Sequence, residues 1–164
     1  MDKTPLADGL NRLTHNQVGL QSIPIDTDKV IAAENLMKKF PQVELRVEHH
    51  FSYGVYARTL YIPKGVALTG HIHKYENLNI LVKGKMSVLV DGQMRLIEAP
   101  LTIVSPPGTK RIAWALEDCI WTTIHGTHEK DLDIIDKYFI AKSKEEYLEF
   151  IGANQLQLEG ITND

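Results

Sequence analysis

His71 and His73 stand one residue apart in Gly70-His71-Ile72-His73, just ahead of a turn and the apolar run from Asn77 to Val82. On an extended chain side chains repeat every second residue, so both imidazoles point the same way. Neutral imidazole is the commonest protein ligand for divalent transition metals. The pair is therefore expected to hold Fe, Mn, Ni or Zn, against the plainer alternative of two structural histidines. Of the other histidines, His49, His50 and His128 are expected at the surface or the rim of the fold.

Those ligands need strands to carry them. From Val43 the sequence falls into short β-rich runs at 43–50, 54–62, 67–73, 77–83, 86–90, 94–98, 101–105, 111–115 and 119–125. Asp91-Gly92 is a strong hairpin signal, because both central residues of such a turn need positive φ. Many short, evenly spaced strands predict an all-β closed or double-sheet architecture, most naturally a jelly roll, over alternating βα units. Before them, Asp26 or Thr27 caps a helix with apolar positions Val30, Ile31, Leu36 and Met37, which must stop at Pro41. After them, Asp131 to Tyr138 predicts a second helix, and Ser143-Lys144-Glu145-Glu146 is a capping box that opens a third.

Strand parity then sorts the side chains. Tyr56, Arg58, Leu60 and Ile62 share one face of their run and Val55, Ala57, Thr59 and Tyr61 the other, and one of these faces must line the interior. If Asn77 faces inward, so do Asn79 and Leu81, while Glu76 points away; a shifted turn would reverse the choice. His125 shares a face with Cys119, Trp121 and Thr123, and an imidazole there could complete a three-nitrogen site. Trp114 and Trp121 are expected in the core or at a subunit interface.

The pattern Gly65, His71, His73, Asn77, Gly84 resembles the first motif of the cupin family, with Asn77 where cupins usually carry glutamate and Glu76 one residue early. The second cupin motif is similar to Pro100, Pro106, Gly108, Arg111 and Ala115: its Pro-x-Gly turn survives, while Arg111 takes the place of the usual histidine. The resemblance covers roughly residues 43–126, and Ser105 to Arg111 with Thr122 to Thr127 look like small cupins of the kind found in bacteriophage genomes. It implies a cupin-type double-stranded β-helix barrel with an N-terminal helix and C-terminal helices. Residues 1–42 would be an arm and helix, 43–126 the barrel and 127–164 a helical extension, all in one structural domain. The implied metal ligands are His71, His73 and Asn77, with His125 a candidate to restore the ligand count. Arg111 cannot ligate a cation, because a guanidinium stays protonated; facing inward, it would offer a fork to a carboxylate or phosphate. Tyr56, Arg58 and Asn79 are the further substrate-orienting candidates.

Composition excludes several classes. A net charge of −3 and a pI of 6.2 leave no basic excess, so neither nucleic acid nor a membrane surface is expected as partner. The single cysteine, Cys119, excludes an internal disulfide and fits a reducing, cytoplasmic location. No Gly-x-Ser-x-Gly elbow or phosphate-cradling glycine loop is present. The reading is a single-domain cupin, a homodimer, that binds a divalent metal and binds or converts a small molecule, an anionic one where Arg111 orients it. Its alternatives are a metal-free binding or assembly module and a metal-independent sugar isomerase or epimerase, with His71 or His73 as base and Tyr56 or Tyr61 as acid.

Overall fold

The structure is a computed structural model that describes residues 27–90 and 93–161. The expected N-terminal arm and the Asp91-Gly92 turn lie outside the described residues. Helix α1 (Thr27–Met37) ends in a tight turn, with Phe40 N donating to Met37 O at 3.0 Å before Pro41. The strands follow: β1 (Arg46–Ser52), β2 (Val55–Ile62), β3 (Ala67–Thr69), β4 (Ile72–His73), β5 (Asn77–Lys83), β6 (Lys85–Val90), β7 (Gln93–Glu98), β8 (Leu101–Ser105), β9 (Ile112–Ala115) and β10 (Cys119–Gly126). Helix α2 (Leu132–Phe139), strand β11 (Ile140–Ala141) and helix α3 (Lys144–Ile161) complete the order. The fold is all-β with helical ends, as the sequence predicts.

Two antiparallel sheets build the barrel. One has the order β1-β2-β10-β5-β8 and the other β3-β9-β6-β7. β6 pairs with β7, with Val90 opposite Gln93. Between the sheets, Ile62, Leu81, Met86, Val88, Ile97, Ile103, Ala115 and Cys119 form the buried core. Cys119 is thus a buried small hydrophobe.

One expected strand is broken. The run 67–73 divides into β3 and β4, because Gly70 N donates to Arg111 O at 2.8 Å and the chain then leaves the second sheet. β4 pairs instead with β11, Ile72 opposite Ala141 and His73 opposite Ile140. His71 therefore lies outside any strand, and the two imidazoles do not share one.

The helices are fastened to the barrel by side chains. On α1, Glu34 accepts from Thr69 Oγ1 at 2.8 Å and from Lys110 Nζ at 3.1 Å, and Lys110 also donates to Gly70 O. Asp131 caps α2, its carboxylate accepting from Asp133 N and Ile134 N. Ser143 Oγ accepts from Glu146 N, while the Glu146 side chain returns to Lys142 N, so the capping box closes one residue earlier than its usual form. Lys74 bridges both helices, pairing with Glu146 at 2.9 Å and donating to Lys137 O.

The two glycines that bound the first motif both have positive φ, 85° at Gly65 and 90° at Gly84. At Gly84 an added Cβ would fall 2.5 Å from Asp118 O and 2.7 Å from Cys119 Sγ, inside van der Waals contact with backbone. Gly84→Ala combines an unfavourable φ with overpacking and should cost about 2–4 kcal/mol. Urea unfolding should show a lowered midpoint with an unchanged slope; an unchanged midpoint would contradict this account.

Candidate functional site

Every second residue of β2, from Tyr56 to Ile62, faces a cavity of about 630 Å³ between the sheets. This settles the parity of that strand. Tyr61, on the other face, donates to Glu48 at 2.9 Å and is not available as an acid for chemistry inside the barrel. Asn77, Asn79 and Leu81 are buried on the inner face of β5, and Glu76 is exposed. Leu78, Ile80 and Val82 take the outer face of the sheet, where Val82 is exposed. Trp121 lines the cavity, whereas Trp114 is exposed on the outer face of the second sheet.

A polar network crosses the cavity wall. Asn79 Nδ2 donates to Asn77 Oδ1 at 2.6 Å and to Ser105 Oγ at 2.8 Å, and Thr123 Oγ1 donates to Asn79 Oδ1 at 2.7 Å. Arg111 joins it by donating to the Ser105 hydroxyl at 2.7 Å. Register explains the convergence: Asn77 pairs with Ser105, and Asn79 pairs with Thr123 on its other side. Ser105 was not singled out from the sequence; its inward parity on the run 101–105 was the available signal.

Arg111 faces inward, as expected of it. Burial lowers its pKa from 12.5 to about 10, so the guanidinium is still charged at neutral pH. Among the described residues no carboxylate pairs with it, or with Arg58, which also lines the cavity. Asp136 on α2 is the sole carboxylate among the lining residues.

The histidines form a second cluster at the mouth. His73 and His125 stack with ring centroids 5.2 Å apart, and His125 stacks on Phe139 of α2 at 4.2 Å. β4–β11 pairing places His73, and Tyr56 lies opposite His125 in the β2–β10 register. His73 is lowered to about 3 by burial and then by His125, His71 and the arginines, and His125 to about 4 by burial. Both are neutral at physiological pH. His71 also lines the cavity; it is exposed by area, yet enough protein surrounds it that burial, with Arg58 and Lys110, lowers its pKa. Tyr56 is buried, its hydroxyl 2.8 Å from His49 Nδ1, and burial raises its pKa. His49 is thus a rim group with a defined partner. The helix residues Ile135, Asp136 and Phe139 that roof the cavity were missed, since nothing in the sequence reports which way an amphipathic helix docks.

A divalent ion would find two suitable donors here. Nδ1 of His73 and Nδ1 of His125 are both buried without a hydrogen-bond partner, and both rings are neutral, as ligation requires. A third is not gathered: among the described residues no group of three or more His, Cys, Asp or Glu side chains is placed to hold an ion. Asn77 Oδ1 already accepts from Asn79. The donor set therefore fits a metal only in part.

No family model matches the chain, and no curated protein does. Among solved structures it is similar to KdgF from Halomonas sp., at 18% identity over 56% of this chain and 88% of that one, with a TM-score of 0.46. It is similar also to an RmlC-like cupin from Shewanella frigidimarina (19% identity, 56% and 89% covered, TM-score 0.43). A third is an RmlC-like cupin family protein from Methanocaldococcus jannaschii (17%, 57% and 92%, 0.44). In this chain two antiparallel sheets face each other across the cavity, the arrangement of a double-stranded β-helix. Among the described residues no helix is long and apolar enough to cross a membrane.

The lowered histidines give stability a pH dependence. Their folded pKa values lie below the ordinary 6.5, so below that pH the unfolded chain takes protons that the folded chain refuses. Stability is complete above pH 6.5 and is lost as pH falls, by up to about 1.4 kcal/mol per pH unit for each histidine. His125→Phe, which keeps the ring stack, should reduce the slope of the melting midpoint between pH 6.5 and about 5.5, above most of the range where carboxylates titrate. Equal slopes in the two proteins would show that His125 is not held neutral.

Proposed function

We propose that the barrel binds a small anionic molecule, with its negative group on Arg111. The carrying observation is a guanidinium drawn out of water that meets one neutral hydroxyl and no carboxylate. Such a charge is costly to hold unpaired, and a carboxylate or phosphate returns the missing hydrogen bonds as a charge-assisted fork. With His73 and His125 neutral, the lining's arginines Arg58 and Arg111 face Asp136 as the one lining carboxylate among the described residues, so the cavity favours a negative guest. Asn79, itself held by Thr123, donates to Ser105 and fixes the angle at which the fork is offered.

Arg111→Leu should weaken binding of a carboxylate or phosphate ligand at least about a hundredfold, the loss expected for hydrogen bonds to a charged group. Its melting midpoint should stay at or above the wild-type value, because a buried charge is replaced by an apolar side chain. Calorimetric titration of both proteins against a panel of small carboxylates and inorganic phosphate is the test. Equal affinity in wild type and variant would overturn the proposal.

A second reading keeps a divalent metal, Fe, Mn, Ni or Zn, on His73 and His125 with His71 or Asn77 as a further donor. The two orphaned Nδ1 atoms favour it. The ion would act as a Lewis acid on an oxygen of the guest, while Arg111 would orient the guest's charge. Elemental analysis of protein purified without a histidine tag separates the readings. Under the leading one, metal stays far below one per chain; near-stoichiometric metal that is lost in His73→Ala/His125→Ala would establish the second. The isomerase reading finds less support, since among the described residues neither His71 nor His73 has a hydrogen-bonded carboxylate.

A further inference from the structure

Polarity falls in steps down the barrel. Because inward side chains recur every second residue, the register of β2, β10, β5 and β8 stacks them in layers about 7 Å apart. The layer at the mouth holds Tyr56 opposite His125, with Asn77 opposite Ser105. The next holds Arg58 opposite Thr123, which also faces Asn79. Below it Leu60 and Leu81 flank Trp121, and below that Ile62 faces Cys119. The opposite sheet continues the change: Leu68 and Val88 both pair with Ala113, and all three line the cavity.

We infer that the ligand is an amphiphilic carboxylate, with its head at Arg111 and an alkyl or aromatic body against Leu60, Leu68, Val88 and Trp121. The inference rests on the anion-binding reading and adds the class of molecule. A sugar acid would satisfy the guanidinium equally well, but its hydroxyls would lie against aliphatic walls that offer no hydrogen bonds. Water is a poor occupant of that space for the same reason, since it needs two or more polar partners. An apolar body loses nothing there and is removed from water. From the Arg58 layer to the Ile62 layer the strand spans about 13 Å, room for a medium-length chain.

The test is calorimetric titration of the full chain with butanoate, hexanoate, octanoate, D-gluconate and octan-1-ol. Affinity should tighten about fourfold per methylene from butanoate to octanoate, the gain for one buried methylene. Gluconate should bind at least about a hundredfold more weakly than hexanoate, which has the same carbon count. Octan-1-ol, which lacks the charge, should bind more weakly than octanoate. Gluconate at or above hexanoate, or no dependence on chain length, would overturn the inference while leaving anion binding intact. No binding of any carboxylate would overturn this inference, and no binding of inorganic phosphate as well would overturn the anion-binding reading with it; octan-1-ol matching octanoate would show that the charged head is not what the cavity reads. Because Trp114 is exposed, Trp114→Phe leaves Trp121 as a sole reporter from the apolar layer. Its emission should shift with octanoate and not with gluconate; the same shift with both would also overturn the inference. Leu68→Asn should flatten the chain-length dependence, and a full slope in a folded Leu68→Asn protein would count against the proposal. Should that variant fail to fold, the wild-type series decides alone.

Discussion

A guanidinium held out of water, with no carboxylate beside it among the described residues, is the constraint around which this barrel is organised. Arg111 stays charged at neutral pH, so its surroundings must supply oriented dipoles in place of solvent. Ser105 supplies the first, Asn79 holds Ser105, and Asn77 and Thr123 hold Asn79. Each of those residues comes from a different strand or a different turn of the alternation, so the network exists only when β5, β8 and β10 are in register. Fold and charge therefore support each other: slipping one strand by a residue would bury the charge against hydrocarbon.

The histidine cluster obeys the complementary rule. His73 and His125 lie face to face under Phe139, too buried to take a proton, in a cavity whose positive charge already resides on two arginines. Neutral rings there avoid adding charges that the site could not compensate. They remain available as acceptors or ligands through nitrogens that have no partner.

Much of this was legible in the sequence because strand alternation is a strict period. Parity groups Tyr56 with Arg58, Asn77 with Asn79 and His125 with Thr123 while leaving the sense of each face open, and in the structure these residues and Arg111 line one cavity. The break at Gly70 was not legible. It depends on a backbone bond from Gly70 to Arg111 and on the pairing of β4 with β11, a partner nearly seventy residues away whose two residues carry no strand pattern of their own. The same holds for the roof: Ile135, Asp136 and Phe139 recur at helical spacing, but only tertiary packing decides that they meet the barrel mouth. Arg111 illustrates the gain from reading a departure: where the resemblance implied an imidazole, the side chain that replaced it sets the sign of the cavity.

The β4–β11 pair is only two residues long on each side, yet it ties the backbone that carries His73 to the segment that follows Phe139. A chain cut after Gly126 would keep every strand of both large sheets. It would lose the roof, the stacking partner of His125 and the clamp on His73 together. Pairing within the two large sheets and closure of the cavity thus draw on different lengths of chain: the barrel supplies the vessel, and the residues beyond it cover its mouth.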